Sequence, residues 1–202
     1  MLRSFWIGLS MLVLAMPQSW AGLPPDVLAR NTTNDVIRIV KQDRDIRAGN
    51  QQKMYELVEH KILPHFDFMQ MTRLAVGKNW TKASLEEQGR LVDEFRTLLV
   101  RTYSASLSSV SDYAIDFKPL RARPTDTDVT VNTEVSKPGA PPIPIDYRME
   151  KQGDDWKVYD VLVDNVSLVT VYRNSFNAEV RRGGIAGLIQ TLVRRNQSSR
   201  GG

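Results

Sequence analysis

The sequence predicts an α+β fold in which a highly curved antiparallel sheet, wrapped by helices, forms a cone with an apolar interior. Three observations support this prediction. Helical periodicity dominates the chain up to about residue 109, a period of two follows to about residue 163, and helical periodicity then returns. Because consecutive strands joined by turns form antiparallel sheets, helices and strands that are segregated in this way belong to the α+β class.

Three helices are predicted ahead of the longest one. The first covers about residues 26–48, where the polar run 31–34 is a candidate break because Asn and Thr side chains compete for backbone hydrogen bonds. The second covers about residues 50–62. The third begins after Asp67, a favourable N-cap, and ends at Gly77, a favourable residue just beyond a helix.

The longest predicted helix covers about residues 85–109. It opens with a capping box formed by Ser84 and Glu87. Its apolar side recurs at helical spacing and consists of Leu91, Phe95, Leu98, Leu99, Thr102 and Tyr103. At about 1.5 Å per residue, this helix is about 37 Å long and can cross a small domain.

Four strands are predicted at residues 113–117, 129–135, 143–149 and 156–163, where apolar and polar residues alternate. One face of this sheet is expected to be wet. The chain then returns to helix at about residues 167–176 and 185–193. A polar tail, residues 194–202, is expected to be disordered, which leaves residues 22–193 as a single domain.

Composition excludes several functional classes. The 202 residues include no cysteine, which excludes a disulfide scaffold, a zinc finger, a catalytic thiol and a lipidated N-terminal cysteine. The net charge of +4 is mild, and no block of basic residues points to nucleic acid as a partner. No phosphate-binding loop and no nucleophile elbow is present.

Residues 1–21 are predicted to be a signal peptide for export to the periplasm or to the outside of the cell. A basic start precedes twelve apolar residues, 5–16, which are too few to span a bilayer of about 30 Å as a helix. The small-x-small pattern at residues 19–21 then predicts cleavage after Ala21.

Few residues are candidates for chemistry. His60 and His65 are five apart, a spacing that does not suit a metal pair on a helix, so no metal site and no cofactor are expected. In a regular strand Asp160 would share a face with Trp156 and Val158 and could serve as a buried general base. Alternatively, it caps a neighbouring backbone or lies at a bulge, and this second interpretation is favoured.

An apolar cluster stands out between the second helix and the longest one. It consists of Phe66, Phe68, Met69, Met71, Leu74 and Trp80. Such a cluster is either ordinary core or the wall of a cavity. Because the chain lacks catalytic machinery and has much apolar surface to enclose, we favour a cavity.

Three blocks of sequence resemble the MlaC, or toluene-tolerance, family of periplasmic proteins. They are residues 64–80 (PHFDFMQMTRLAVGKNW), residues 95–103 (FRTLLVRTY), and residues 156–161 (WKVYDV) with 166–176 (VSLVTVYRNSF). The blocks stand in the family's order and extend over most of the chain after residue 21.

The resemblance implies a phospholipid carrier with a fold like nuclear transport factor two or cystatin, in which acyl chains are buried between helices and sheet. It further implies transport of glycerophospholipids between the outer and inner membranes to maintain outer-membrane lipid asymmetry. The implied partners are phospholipid, an outer-membrane lipoprotein–porin complex, and an inner-membrane ABC transporter with its substrate-binding ring. Bound phospholipid would be cargo and not a cofactor.

The candidate residues for the cavity wall are apolar or aromatic and lie on the longest helix, the strands and the following helix. They are Trp80, Phe95, Leu99, Tyr103, Tyr147, Val161, Val163, Tyr172 and Phe176. Two other functions remain open. One is an enzyme with the same cone fold, an isomerase or dehydratase using Asp160 with Tyr103 or Tyr172. The other is an adaptor that binds protein but no lipid.

Overall fold

The computed structural model describes residues 22–198, so the predicted signal peptide and residues 199–202 lie outside the described residues. The α-helices are α1 (Pro25–Gln42), α2 (Arg44–Arg47), α3 (Gln51–Lys61), α4 (Phe68–Val76), α5 (Leu85–Leu107) and α6 (Leu168–Ser198). Short 3₁₀ helices cover Leu63–His65, Gly77–Lys82 and Val110–Asp112. The strands are β1 (Ala114–Phe117), β2 (Asp128–Ser136), β3 (Ile143–Gln152), β4 (Asp155–Val163) and β5 (Val166–Ser167).

The predicted caps of α4 and α5 are confirmed. The side chain of Asp67 accepts a hydrogen bond from the backbone N–H of Gln70 at 2.8 Å, and Gly77 ends α4 with a φ of 61°. At the start of α5, the Ser84 hydroxyl accepts from the Glu87 N–H while the Glu87 carboxylate accepts from the Ser84 N–H. These contacts satisfy backbone donors that the first turn leaves free, so both helices begin where the sequence predicts.

The first predicted helix breaks at a different place from the one expected. The polar run at residues 31–34 stays helical within α1, and the break falls at Asp43. Val36 and Val40 are buried on this part of α1, and such packing outweighs the weak intrinsic preference of the polar run. Asp43 instead caps α2, since its side chain accepts from the N–H groups of Asp45 and Ile46.

The strands form one antiparallel sheet in the order β1-β2-β3-β4-β5, which together with the flanking helices confirms the α+β class. Two features differ from the prediction. The connection between β1 and β2 is long, and β4 is not the last strand, because the two residues of β5 pair with Leu162 and Val163. Asp164 and Asn165 both have a positive φ, of 51° and 63° respectively, and they form the tight turn that joins β4 to β5.

The C-terminal helix α6 is longer than expected. The polar tail predicted from residue 194 remains helical as far as Ser198. The last turn stays helical because of Asn196, which is buried. The Asn196 side-chain amide donates to the backbone oxygen of Glu94 at 3.0 Å and to the Glu94 carboxylate at 2.6 Å. A polar residue that makes buried hydrogen bonds to α5 holds the last turn in place. Over residues 22–198, no helix has the length and hydropathy that a membrane span requires.

Within residues 22–198, three apolar clusters form the interior. One lies among α4, α5 and α6 and includes Phe95 and Phe176; another joins α1 and α3 around Val40 and Val58. The remaining cluster lies on the sheet around Val131. The helices therefore have a packed core of their own, and the sheet contributes a separate apolar face.

Candidate functional site

An apolar cavity of about 360 Å³ lies between the helices and one face of the sheet. This volume is within the range of small-molecule sites in proteins. Helical lining residues are Leu28, Ala29, Thr32, Thr33, Val36, Val58, Ile62, Leu63, His65, Phe66, Phe68, Met71, Leu99, Val100, Tyr103, Ser104, Ser106, Leu107, Val110 and Leu168, with Phe66 adjoining the 3₁₀ turn. The sheet contributes Ile115, Ile145, Tyr147, Met149, Val158, Val161 and Val163.

The sheet wall follows from the period of two in β3 and from the pairing of β3 with β4. On β3 the lining residues are Ile145, Tyr147 and Met149 at alternate positions. Their cross-strand partners on β4 are Val163, Val161 and Val158 respectively. Partners directly opposite each other point to the same face of a sheet, so the two strands present a continuous apolar surface.

The cavity is closed at one end and open at the other. Met149 and Val158 are 1% and 5% exposed, whereas Val163, five residues further along β4, is 38% exposed. Tyr103 on α5 also lines the cavity and is 40% exposed. The increase in exposure along β4 places the mouth beside Val163 and Tyr103.

One face of α1 completes the helical wall. Leu28, Thr32 and Val36 line the cavity at spacings of four residues, as one side of a helix requires. The residues predicted from the sequence for the cavity wall do not include this face of α1, although its four-residue spacing is visible in the sequence. Arg30, on the same helix, lies over the ring of Phe117 at 4.6 Å and ties α1 to β1.

The described lining contains no Asp, Glu, Lys or Arg. Its titratable side chains are His65, Tyr103 and Tyr147. Burial raises the pKa of Tyr147 to about 12, so its hydroxyl is protonated at neutral pH. Burial and the nearby Lys157 ammonium lower the pKa of His65 below its ordinary value, which favours the neutral imidazole. The wall is therefore uncharged at neutral pH.

Five of the residues predicted for the wall line this cavity. They are Leu99 and Tyr103 on α5, Tyr147 on β3, and Val161 and Val163 on β4. Each belongs to a helix side or strand face that the sequence periodicity had defined.

The other four predicted residues lie outside the cavity lining and form solid core. Phe95 packs edge-on against Tyr172 and Phe176, with ring centroids 4.9 and 5.1 Å away. Trp80 belongs to the same cluster between α4, α5 and α6. For Phe95 the physical reason is that α5 is buried on more than one side. Its periodicity identifies the buried positions but not which of them face the sheet.

The apolar cluster between α3 and α5 divides in the same way. Phe66, Phe68 and Met71 line the cavity, Leu74 packs in the helical core, and Met69 is 51% exposed. Met149 and Val158 were not predicted as lining. Met149 could have been found by extending the alternation of Tyr147 by one step toward the closed end. Val158 could not, because it lies three residues before Val161, on the far side of the bulge in β4.

Asp160 does not face the cavity. The register shifts between Arg148 and Met149, and this bulge makes Asp160 the partner of Arg148, on the face opposite to Tyr147 and Val161. Asp160 is 2% exposed and accepts hydrogen bonds from the Ser167 hydroxyl at 2.7 Å and the Val169 N–H at 3.2 Å. It caps the start of α6, as the favoured interpretation predicted, and it does not share the face of Trp156 and Val158.

His65 lines the cavity, whereas His60 is exposed on α3. Across residues 22–198, no three His, Cys, Asp or Glu side chains come together in a way that could hold a metal ion.

Comparisons with known proteins bear on this cavity. A family model described as MlaC protein matches residues 30–194. The toluene tolerance protein ttg2D of Pseudomonas putida is 22% identical over 179 residues, which cover 88% of this chain and 83% of that protein. A phospholipid-binding protein from Ralstonia solanacearum, solved in complex with a phospholipid, is 38% identical and superposes with a TM-score of 0.82. That match covers 88% of this chain and 99% of the other.

Proposed function

The chain belongs to the MlaC family, and from this premise we propose that it is a periplasmic phospholipid carrier. Its cargo is glycerophospholipid, which it moves between the outer and inner membranes to maintain outer-membrane lipid asymmetry. The observation that carries the proposal is the apolar cavity, which opens beside Val163 and Tyr103 and has no Asp, Glu, Lys or Arg in its described lining.

The energetics of lipid transfer explain why such a cavity suffices. A diacyl lipid has about 30 methylenes, and each costs about 0.8 kcal/mol when exposed to water, so crossing the aqueous gap unaided costs on the order of 24 kcal/mol. A carrier lowers this cost by offering apolar surface to the chains. Affinity then comes from buried area, and discrimination between headgroups that remain in water is weak.

The carrier needs no reaction and no cofactor. The enzyme alternative would pair Asp160 with Tyr103 or Tyr172. Asp160 lies on the face of the sheet opposite to the cavity wall and is engaged by Ser167 and Val169, which argues against a role in proton transfer to a cavity ligand. The phospholipid-bound relative from Ralstonia solanacearum further supports cargo binding.

We further propose the partners that membership of the family suggests. Lipid would be exchanged with an outer-membrane lipoprotein–porin complex and with an inner-membrane ABC transporter that carries a substrate-binding ring. Transport in one direction would draw its energy from these partners. Export would depend on a signal peptide cleaved after Ala21.

The decisive experiment is to purify the protein from cells without detergent and to examine it by native mass spectrometry. Phospholipid is expected at about one molecule per protein. Val161→Trp should lower the bound fraction severalfold, because the larger side chain fills the space beside Tyr147 while circular dichroism stays native-like. Val171→Trp is the matched control: Val171 is 49% exposed, lies outside the cavity lining, and should leave the bound fraction unchanged.

Protein that carries no lipid in any preparation and cannot be loaded from vesicles would contradict the carrier proposal and favour an adaptor that binds only protein. Equal lipid loss in Val161→Trp and Val171→Trp would show that the cargo is held elsewhere than in this cavity.

A further inference from the structure

Tyr147 places a polar group inside an otherwise apolar wall. It lies on β3 between Val131 of β2 and Val161 of β4, both directly opposite it in the sheet. Of the residues on this face, Val131 is 1% exposed, whereas Tyr147 is only half-buried, and it lines the cavity. Its remaining accessible surface is therefore presented to the cavity.

Its hydroxyl has no hydrogen-bond partner among residues 22–198, whereas the hydroxyl of Ser104, which also belongs to the wall, has one. Ser104 donates to the backbone oxygen of Val100. A ligand that fills an apolar cavity removes water from a hydroxyl in its wall, and this costs free energy unless the ligand supplies an acceptor. The geometry thus points to a polar contact with whatever occupies the cavity.

The depth of Tyr147 limits which part of a lipid it meets. Tyr147 is two residues inward from Ile145, which pairs with Val163 at the mouth. Two strand residues span about 7 Å. A headgroup left in water beside Val163 would therefore bring the ester linkages, which lie a few covalent bonds from the phosphate, to the level of Tyr147.

The charge of the lining favours a neutral acceptor. A free carboxylate at this depth would be an unpaired charge, since the described wall has no Lys or Arg to meet it. The protonated phenol donates readily to a carbonyl oxygen, which carries no charge. An ester carbonyl satisfies both conditions.

We propose that the Tyr147 hydroxyl donates a hydrogen bond to an acyl-ester carbonyl of the bound phospholipid and thereby fixes how deeply the lipid enters the cavity. This inference rests on the proposed function and deepens it. It predicts that the protein recognises the linkage between glycerol and chain, in addition to the chains themselves.

The test compares a diester with a diether phosphatidylglycerol of matched chains, loaded competitively onto delipidated protein and quantified by native mass spectrometry. The wild-type protein should prefer the diester by about two- to twelve-fold, the range for one net hydrogen bond. Tyr147→Phe should abolish the preference while it still binds both lipids. Tyr159→Phe is the matched control, because it removes a hydroxyl that is bound to Asp128 and not to the cavity.

Thr32 and Thr33 also line the cavity, from α1, so the double variant Thr32→Val, Thr33→Val forms a further arm. It should keep the diester preference. Loss of the preference in this variant, or its retention in Tyr147→Phe, would overturn the assignment to Tyr147. Equal binding of diester and diether by the wild type would overturn the hydrogen bond but leave the carrier intact, whereas binding of neither lipid would contradict the carrier as well.

Discussion

Asp160 joins the sheet to the last helix through two hydrogen bonds and one longer ionic contact. One carboxylate oxygen accepts from the Ser167 hydroxyl and lies 3.7 Å from the Arg148 guanidinium, and the other accepts from the Val169 N–H. A negative charge at the start of a helix is favourable because the first N–H groups carry partial positive charge. Asp160 therefore acts as a structural cap at the start of α6.

Replacing Asp160 with Ala should therefore destabilise the fold by about 1–3 kcal/mol, since a cap is lost and buried donors are left unpaired. Asp160→Asn keeps an acceptor for Val169 and should cost less. Denaturant unfolding measures both effects. Lipid loading of the folded fraction should be unchanged, because Asp160 faces away from the cavity. A loading defect in fully folded Asp160→Asn would contradict this role.

His65 makes stability depend on pH. Its pKa in the folded protein lies below the ordinary 6.5, chiefly because burial disfavours the charged imidazolium. Below pH 6.5 the unfolded chain therefore takes up a proton more readily than the folded one, and stability falls as the pH falls through this window. The melting temperature should drop between about pH 7 and pH 5, and the drop should be smaller in His65→Gln.

The control for this pH dependence is His60→Gln, which alters an exposed histidine on α3. It should follow the wild-type profile. Hydrogen bonds from backbone N–H groups lower the pKa values of Asp43 and Asp126. Their contribution to folding stability is therefore lost only at lower pH, below the range in which His65 acts. Identical slopes in the wild type and His65→Gln would rule out the His65 contribution.

At the scale of an element, α6 is two helical segments joined at Gly183 and Gly184. Gly184 has φ 64° and ψ −167°, a conformation that is essentially restricted to glycine. The sequence prediction already placed a break here, between residues 176 and 185. The kink lets Phe176 before it and Leu188 after it both enter the core shared with α5.

Gly184→Ala should cost about 1–3 kcal/mol, because a Cβ strains this backbone even though no neighbouring atom lies within 4 Å. Gly187→Ala is the matched control. Gly187 is helical and also has open space around its Cβ position, so the same change should stabilise the protein by about 0.5–1 kcal/mol. Chemical unfolding of both variants checks the opposite signs, and equal effects would contradict the strain at Gly184.

The long helix α5 lies between the helical core and the cavity. Leu99 belongs to the helical core and also lines the cavity, whereas Phe95, one turn earlier, belongs to the core only. The helix therefore supplies both the solid packing against α6 and part of the wall that faces the sheet. Substitutions one turn apart are expected to affect stability and lipid binding differently.

At the scale of the whole molecule, the cavity lies between the helical core and the sheet cluster, and residues of both line it. The helical core around Phe176 and the sheet cluster around Val131 both contain fully buried side chains. The empty cavity forfeits dispersion contacts along its lining, which a bound acyl chain supplies. Folding and cargo binding are therefore coupled through this space.

Delipidated protein should accordingly melt at a lower temperature than loaded protein. A ligand that binds only the folded state stabilises it by about 4 kcal/mol at a thousandfold excess over its Kd. Reloading with phosphatidylethanolamine or phosphatidylglycerol should restore the melting temperature about equally, since the headgroup remains in water. Scanning calorimetry of stripped and reloaded protein measures this. Identical melting of both forms would mean that lipid does not occupy a structural cavity, and rescue by one headgroup alone would contradict recognition through the chains and their linkage.

The local features of the fold follow from the sequence, because they depend on neighbouring residues. The caps at Asp67 and Ser84, the glycine break in α6, the order of helices and strands, and the α+β class all follow from periodicity and short-range hydrogen bonding. The five predicted residues that line the cavity lie on strand faces or on a helix side that the same periodicity defines.

Which buried positions face a cavity and which face solid core depends on how the helices and the sheet pack against one another. A position that faces solid core and one that faces a cavity both carry apolar residues, so the sequence pattern cannot tell the role of Phe95 from that of Leu99. The neighbouring side chains distinguish them: Phe95 packs in the core with α6, and Leu99 also lines the cavity beside the sheet. The bulge that turns Asp160 to the other face, and the buried hydrogen bonds that keep Asn196 helical, also depend on residues distant in sequence. Local periodicity identifies which side chains are buried. The function depends on whether another element or a cavity lies opposite each of them, and this is determined only when the helices and strands pack together.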